Sequence, residues 1–261
     1  MLPNHSRRRY LQRLAAGSGR RTSNPIAENS FLLASNRTFN IDSNLKQEKA
    51  WNYGVSVTQY FNLFGQDFTA SADFYRTEFQ NQVIVDVDKD VNQVNFYNLD
   101  GQSFANNYQV ELKFEPVDRL DVTTAIRFSD VKADINNEFQ KVPYVNRYKG
   151  LVNLSYSTNM NIWQFDFTTQ INGDMRIPSV PEEFNRREKS PAYAVMNAQI
   201  TKRFKIWEVY AGVENLGNYT QKNPIIEAGD PHGGDFDASM IWGPIQERKF
   251  FLGVRLTIDR E

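Results

Sequence analysis

From Trp207 to Ile258 the chain alternates. Glu208 to Leu216 runs E-V-Y-A-G-V-E-N-L and Phe250 to Ile258 runs F-F-L-G-V-R-L-T-I, with a long polar, Gly- and Pro-containing loop between them. In the second stretch Phe250, Leu252, Val254, Leu256 and Ile258 share one face, and Lys249, Phe251, Gly253, Arg255 and Thr257 share the other. Strand side chains point to opposite faces in turn, so the pattern predicts a strand with one hydrocarbon-seeking face and one polar face. One strand of this kind constrains little. Its repetition through the chain limits the fold to an all-β, antiparallel one.

The repetition begins with a weak strand at Tyr10 to Ala16 and a long connection from Gly17 to Gln47. Trp51, Tyr53, Val55, Val57 and Phe61 then alternate with polar or small residues, and Asn62 to Asp67 makes a short turn. Phe68, Ala70, Ala72 and Phe74 follow against Thr69, Ser71, Asp73 and Tyr75; the chain turns near Asp86 to Asp90 and returns through Val94 to Phe114. Beyond the tight turn Glu115 to Asp118, Leu120 to Phe128 alternates again. So do Tyr148 to Tyr156, Trp163 to Ile171 and Met196 to Ile200, with a three-proline loop at Met175 to Pro191. The total is about ten strands, with short turns at one end and long loops at the other, as in outer-membrane barrels. No segment has the length and period of an amphipathic helix.

Composition narrows the classes. The hydrophobic fraction is 40% and the mean hydropathy −0.58, and no apolar run reaches the ~18 residues of a membrane-spanning helix. A transmembrane barrel passes that test unseen, because every second strand residue is polar. Nineteen Phe, twelve Tyr and four Trp would furnish interfacial girdles, and Trp51, Tyr53, Tyr148, Tyr156, Trp163 and Trp207 fall near strand ends. With no cysteine, disulfides and thiol chemistry are excluded. Only His5 and His232 could serve a histidine-based site. The net charge of −1 gives no field toward nucleic acid, and the short arginine run at Arg7, Arg8, Arg9 and Arg13 reads as the start of a partial strand. It is followed by no apolar stretch of the signal-peptide kind.

Periodicity alone leaves two architectures open. In a soluble sandwich the apolar faces pack inward; in a membrane barrel they meet lipid and the polar faces, here with Asp73, Arg127 and Asp166, look into a wet interior.

Particular residues then favour one family. Gly212 to Asn218 (G-V-E-N-L-G-N), the approach R-K-F-F-L-G-V-R-L-T-I, the entry G-R-R-T-S-N-P-I-A-E-N with L-K-Q-E-K-A-W-N-Y-G, and Y-N-L-D-G through Y-Q-V-E-L together resemble the C-terminal barrel of a TonB-dependent outer-membrane receptor. The resemblance covers roughly Arg13 to Ile258. It implies part of a plugged barrel of about 22 strands in the bacterial outer membrane, taking up a scarce solute such as a ferric chelate. It also implies residues 1–16 as a truncated start with a partial strand, 17–261 as the C-terminal part of the barrel, and an absent plug domain. Gly253, Leu256 and Ile258 fit the end signal that the barrel-insertion machinery reads in that class, although the chain closes on Ile258-Asp259-Arg260-Glu261 rather than on an aromatic residue. Further partners implied are outer-membrane lipid and lipopolysaccharide, the TonB complex acting only through the plug, and a small solute; nucleic acid is not among them. The competing readings are a passive porin or structural barrel and, from another class, a secreted glycan-binding protein or hydrolase.

No catalytic constellation emerges. Glu182-Glu183 sits in the Pro-rich loop as solvated charge, and nothing places two carboxyls across a sugar-binding site. Gly229 to Asp237 (G-D-P-H-G-G-D-F-D) has the donors for a metal but the turn chemistry of an external loop. No cofactor and no metal site are expected. Ligand contacts, as the resemblance implies, would come from the long loops: Arg20, Arg21 and Asn24 in the first, Arg176, Arg186 and Arg187 in the Pro-rich one, His232, Asp235 and Trp242 in the last. Arginines there would suit an anionic chelate through bidentate, charge-assisted bonds.

Overall fold

The structure, a computed structural model, describes residues 9–22, 24–179, 184 and 187–257. Its strands are β1 (Arg9–Arg21), β2 (Thr38–Ile41), β3 (Glu48–Leu63), β4 (Gln66–Phe79), β5 (Val83–Asp86), β6 (Gln93–Asn98) and β7 (Ser103–Phe114). Then come β8 (Leu120–Ile135), β9 (Glu138–Lys141), β10 (Tyr148–Ser157), β11 (Trp163–Asn172), β12 (Tyr193–Arg203), β13 (Trp207–Glu214) and β14 (Lys249–Leu256). Ten of them form one antiparallel wall in the order β1-β3-β4-β7-β8-β10-β11-β12-β13-β14, and β9 prolongs it as a hairpin on β8. Among the described residues β1 and β14 do not pair with each other, so the wall is open.

Register makes two faces of this wall. Phe61, Phe68, Phe114, Val122, Leu154, Phe167, Ala198, Val213 and Phe250 oppose one another in a continuous line from β3 to β14. At its start the rings of Phe61 and Phe68, and of Phe68 and Phe114, stack at 5.3 and 5.0 Å. On the other face Ser56, Asp73, Gln109, Arg127, Lys149 and Asn172 line up likewise. Cross-strand hydrogen bonds knit this face: Asn153 Nδ2 donates to Thr168 Oγ1 at 2.7 Å, Ser155 Oγ to Asp166 Oδ1 at 2.7 Å, and Arg127 to Gln109 Oε1 at 2.7 and 2.9 Å. Opposed pairs of this type are what fix strand register.

Among the described residues no second layer covers the apolar face. Leu252 is 76% and Val110 54% exposed, and only Val122, at 9%, is shaded between its larger neighbours. A sandwich would bury this row between its sheets. The buried apolar clusters lie elsewhere, at the long-loop end: Leu32, Val83, Val87, Val94 and Phe96; Ile84, Leu99, Ala133 and Ile135; Ile177, Ile226 and Met240. The wall thus carries its hydrocarbon outside and its packed core in its loops.

The opposite end has only tight connections. β3 and β4 are joined by Phe64-Gly65, both at positive φ (54° and 81°), as the two-residue hairpin turn matching strand twist requires. The Asn136-Asn137 hairpin between β8 and β9 repeats this geometry at φ 54° and 62°. On the polar face, rings of one strand lie over glycines of the next: Tyr75 opposes Gly54, Phe251 opposes Gly212 and Tyr210 opposes Gly253. A Cβ on Gly54 would sit 2.2 Å from the Phe74 carbonyl oxygen and 2.4 Å from the Tyr75 ring. Gly54→Ala is therefore expected to destabilise the wall by about 1–3 kcal/mol, read as a lower unfolding midpoint in detergent. An unchanged midpoint would mean that the ring moves aside freely.

Two sequence expectations need correction. The first strand does not stop at Ala16 but runs to Arg21, because the long β3 offers a ladder partner to every residue, Gly17 and Gly19 included. Arg20 and Arg21 accordingly belong to a strand end, and the connection after them holds a short helix, α1 (Pro25–Glu28), a 3₁₀ turn at Ser30–Ala34 and β2. Second, the return through Val94 is not wall. β5 and β6 pair with β2 in a separate three-stranded sheet, β2 parallel to β6, whose burial the strand period alone does not reveal.

Candidate functional site

Five long segments leave the same end of the wall: 22–47, 80–102, 136–147, 173–192 and 215–248. They fold onto one another as a headpiece. The first and fifth are clasped by Arg37 and Asp237, whose side chains are 2% and 4% exposed and meet at 2.8 Å. Arg37 Nε also donates to Asp237 Oδ2 at 3.0 Å, while Asp237 Oδ1 accepts from the Ser239 amide and hydroxyl at 2.6 Å each. Backbone bonds reinforce the clasp, with the Ala238 amide on the Ala34 carbonyl at 2.8 Å and the Asn36 amide on the Phe236 carbonyl at 3.1 Å. The strands that carry these two segments lie at opposite ends of the wall, so the contact reaches across its mouth.

A second clasp joins the middle segments. Arg176 grips Asp88 with both Nη atoms, at 3.0 and 2.7 Å, and its Nε donates to the Lys141 carbonyl at 2.7 Å. The Tyr144 amide returns a bond to the Arg176 carbonyl at 3.0 Å. A planar guanidinium with three fixed donors suits this three-way junction, and a lysine would not reproduce it.

Where the fourth and fifth segments meet there is a pocket of about 680 Å³. Ile177, Ile226 and Met240 give it an apolar floor, Phe184, Tyr219 and Trp242 aromatic walls, and Arg187, Lys189 and Lys222 a cationic rim, against which Glu227 is the single carboxylate among the described residues. Tyr219 stacks on Tyr193 at 4.9 Å with ring planes 4° apart, and Trp242 tilts against Tyr193 at 5.8 Å. Burial pushes the Tyr219 phenol above its ordinary pKa, and the charge of Arg187 opposes that shift. Gln221 positions the Trp242 wall: its Oε1 accepts the Trp242 and Gly243 amides at 2.8 and 3.0 Å, and its Nε2 donates to the Met240 carbonyl at 3.2 Å.

The residues singled out from sequence fall in different places. Arg187 and Trp242 line the pocket. Arg176 is held in the second clasp. Arg21 pairs with Glu48 and Glu28 at 2.8 and 3.0 Å, and Asn24 caps α1, its Oδ1 accepting the Ala27 amide at 3.2 Å. Arg20 is the penultimate residue of β1, on the apolar face of the wall. His232 and Asp235 are exposed and outside the pocket lining; the segment they belong to is anchored through buried Asp237. Arg186 and Glu182-Glu183 lie outside the described residues. Among the described residues no group of three or more His, Asp or Glu side chains is placed to hold a metal ion. Sequence reading missed Lys189, Lys222, Tyr219 and Gln221. Loop residues carry no period, and only the proximity of two distant segments brings these four together.

An open antiparallel wall, apolar on one face and hydrogen-bonded on the other, with one rim of tight turns and the other built into a folded cap, has the architecture of part of a large antiparallel β-barrel. The chain belongs to the family of TonB-dependent receptor-like β-barrels, whose sequence profile matches residues 11–216. No curated protein matches the sequence. Among solved structures the chain is similar to the copper transporter OprC (13% identity, TM-score 0.66), with 94% of this chain aligned to 36% of that one. It is also similar to the ferric-catecholate import receptor Fiu of E. coli K12 (14%, TM-score 0.64; 95% of this chain and 33% of that one). A mutant of the ferric enterobactin receptor PfeA of Pseudomonas aeruginosa matches at 15% and TM-score 0.65, over 94% and 38%. At these identities the likeness is one of fold, and the chain spans little more than a third of those proteins.

Proposed function

We propose that the chain lies in a bacterial outer membrane as part of a receptor that captures an anionic metal chelate and passes it inward under the control of the TonB complex. The observation that carries this reading is the pocket between the fourth and fifth segments, which among the described residues has three cations facing one carboxylate and aromatic walls beside an apolar floor. A flat anionic chelate would stack on Tyr219 and Trp242 and take charge-assisted bonds from Arg187, Lys189 and Lys222. Support of a coarser kind comes from family membership and from relatives described as ferric-catecholate, enterobactin and copper proteins. In this reading the apolar face meets lipid and β14 is the segment presented to the barrel-insertion machinery. The TonB complex acts through the receptor's plug domain. No bond of the solute is made or broken; the receptor binds and releases.

Titration with ferric enterobactin as probe tests the pocket. Each of Arg187→Ala and Lys222→Ala is expected to weaken binding by about 10- to 100-fold, from the ~1.5–3 kcal/mol of a hydrogen bond to a charged group. His232→Ala, on the exposed segment outside the pocket, is expected to change little. Equal affinity in all three variants, for this probe and for ferric citrate alike, would sink the assignment.

A further inference from the structure

A smaller cavity, of about 140 Å³, lies between the third and fourth segments, beside the end of β8. Val131 and Val142 back it. Four cationic side chains line it, Lys141 and Arg147 from the third segment, Arg176 and Lys189 from the fourth. Among the described residues Asp174 is the one carboxylate in that lining. It is held by Arg147 Nε at 3.2 Å, while Arg176 is taken by Asp88. Among the described residues Lys141 and Lys189 have no ion pair with any side chain. Two ammonium groups thus border a small enclosure without a counter-charge.

Backbone bonds fix the frame around them. The Val142 amide donates to the Val131 carbonyl at 3.1 Å, and the Arg147 amide to the Asp174 carbonyl at 2.9 Å. Arg176 and Lys189 stand opposite one another in an antiparallel bridge. On either side of it the Ile177 amide bonds the Glu188 carbonyl at 2.8 Å and the Ser190 amide the Met175 carbonyl at 3.0 Å. The Arg176 guanidinium spends three donors on Asp88 and the Lys141 carbonyl and keeps others for a further acceptor.

We infer that this cavity binds a small tetrahedral oxyanion, of the phosphate or sulfate class, between Lys141 and Lys189. An anion placed between two cations turns their repulsion into two attractions, and a doubly charged one balances both ammonium groups. The enclosure is about a fifth the size of the solute pocket, so it admits such an ion and not a chelate. Lys189 lines both cavities. A lysine carries its charge as a point at the end of a flexible stem, so an anion that holds Lys189 withdraws it from the pocket rim. Filling the small cavity therefore weakens capture of the chelate, and the chelate weakens the anion by the same factor. The anion site stands on its own geometry; only this coupling rests on the chelate reading above.

Calorimetric titration of the full chain in detergent, with inorganic phosphate as probe and chloride as the background anion, tests the site. Phosphate is expected to bind saturably and sulfate to displace it. Lys141→Gln and Lys189→Gln should each weaken phosphate by about 10-fold or more. Lys141→Arg should retain it, which separates charge from folding. Saturating phosphate should weaken ferric enterobactin by about 5- to 10-fold in the parent and leave it unaltered in Lys141→Gln. That contrast distinguishes the coupling from phosphate simply occupying the rim of the solute pocket. No saturable phosphate binding, or equal affinity in the parent and Lys141→Gln, would overturn the site. Chelate affinity indifferent to phosphate would overturn the coupling through Lys189. Phosphate bound as expected by a chain that takes no ferric enterobactin would keep the site and defeat the chelate reading.

Discussion

Asp237→Asn is expected to open the headpiece without dissolving the wall. The substitution leaves the Arg37 guanidinium at 2% side-chain exposure facing a neutral amide, and an uncompensated buried charge costs about 3–5 kcal/mol. The same carboxylate organises Ser239 through two bonds of 2.6 Å, so the segment leading to Met240 and Trp242 should loosen as well. Hydrogen exchange should rise in residues 34–38 and 226–240, and protease should cut there. The β4–β7 and β10–β11 ladders, which share no side chain with the clasp, should keep their protection. Because Trp242 lines the pocket, probe affinity should fall too. A buried ion pair is poor proof of net stability, so the double change Arg37→Met with Asp237→Leu should recover part of the loss. Equal protection in parent and single variant would show that the backbone bonds Ala238 to Ala34 and Asn36 to Phe236 suffice alone.

The second large effect concerns the face of the wall. Val110 lies on β7 in register with Ala72 and Ile126 and is 54% exposed. If that face meets lipid, Val110→Arg places a guanidinium in hydrocarbon and should cost about 2–4 kcal/mol near the bilayer centre. Thr123→Arg, on the polar face between Lys113 and Asn153, should cost far less, since its head would reach water. Urea titration in bilayers, followed by the heat-dependent gel shift of a folded barrel, measures both. Equal penalties, or a larger one at Thr123, would mean that the assigned faces are reversed.

Much of the wall is legible without coordinates. Phe68, Val122, Phe165 and Leu252 sit on the apolar face as their alternation requires, and Asp73, Arg127 and Asp166 on the other, because the pleat ties each residue's side to its parity. The period alone does not separate sandwich from barrel, since both share it; the stretches that resemble the receptor family favour the barrel, and the exposure of Leu252 and Val110, with no covering sheet among the described residues, agrees. The extent of β1 was missed because Gly17 and Gly19 read as a break, whereas a long partner strand tolerates them. Of the loop arginines, residue type alone could not separate Arg187, which faces a pocket, from Arg176, which is consumed by Asp88.

What the sequence by itself determined is the wall: its strand alternation, its two chemically opposite faces, and the asymmetry of short and long connections. Each follows from interactions between near neighbours along the chain or from the geometry of the peptide. Only the tertiary structure decided the headpiece. Arg37 finds Asp237 200 positions away and Arg176 finds Asp88 across 88, and the pocket exists only because those clasps hold the segments together. No local period encodes such meetings; they arise when long loops from the whole width of a sheet must bury their few apolar and charged side chains against one another.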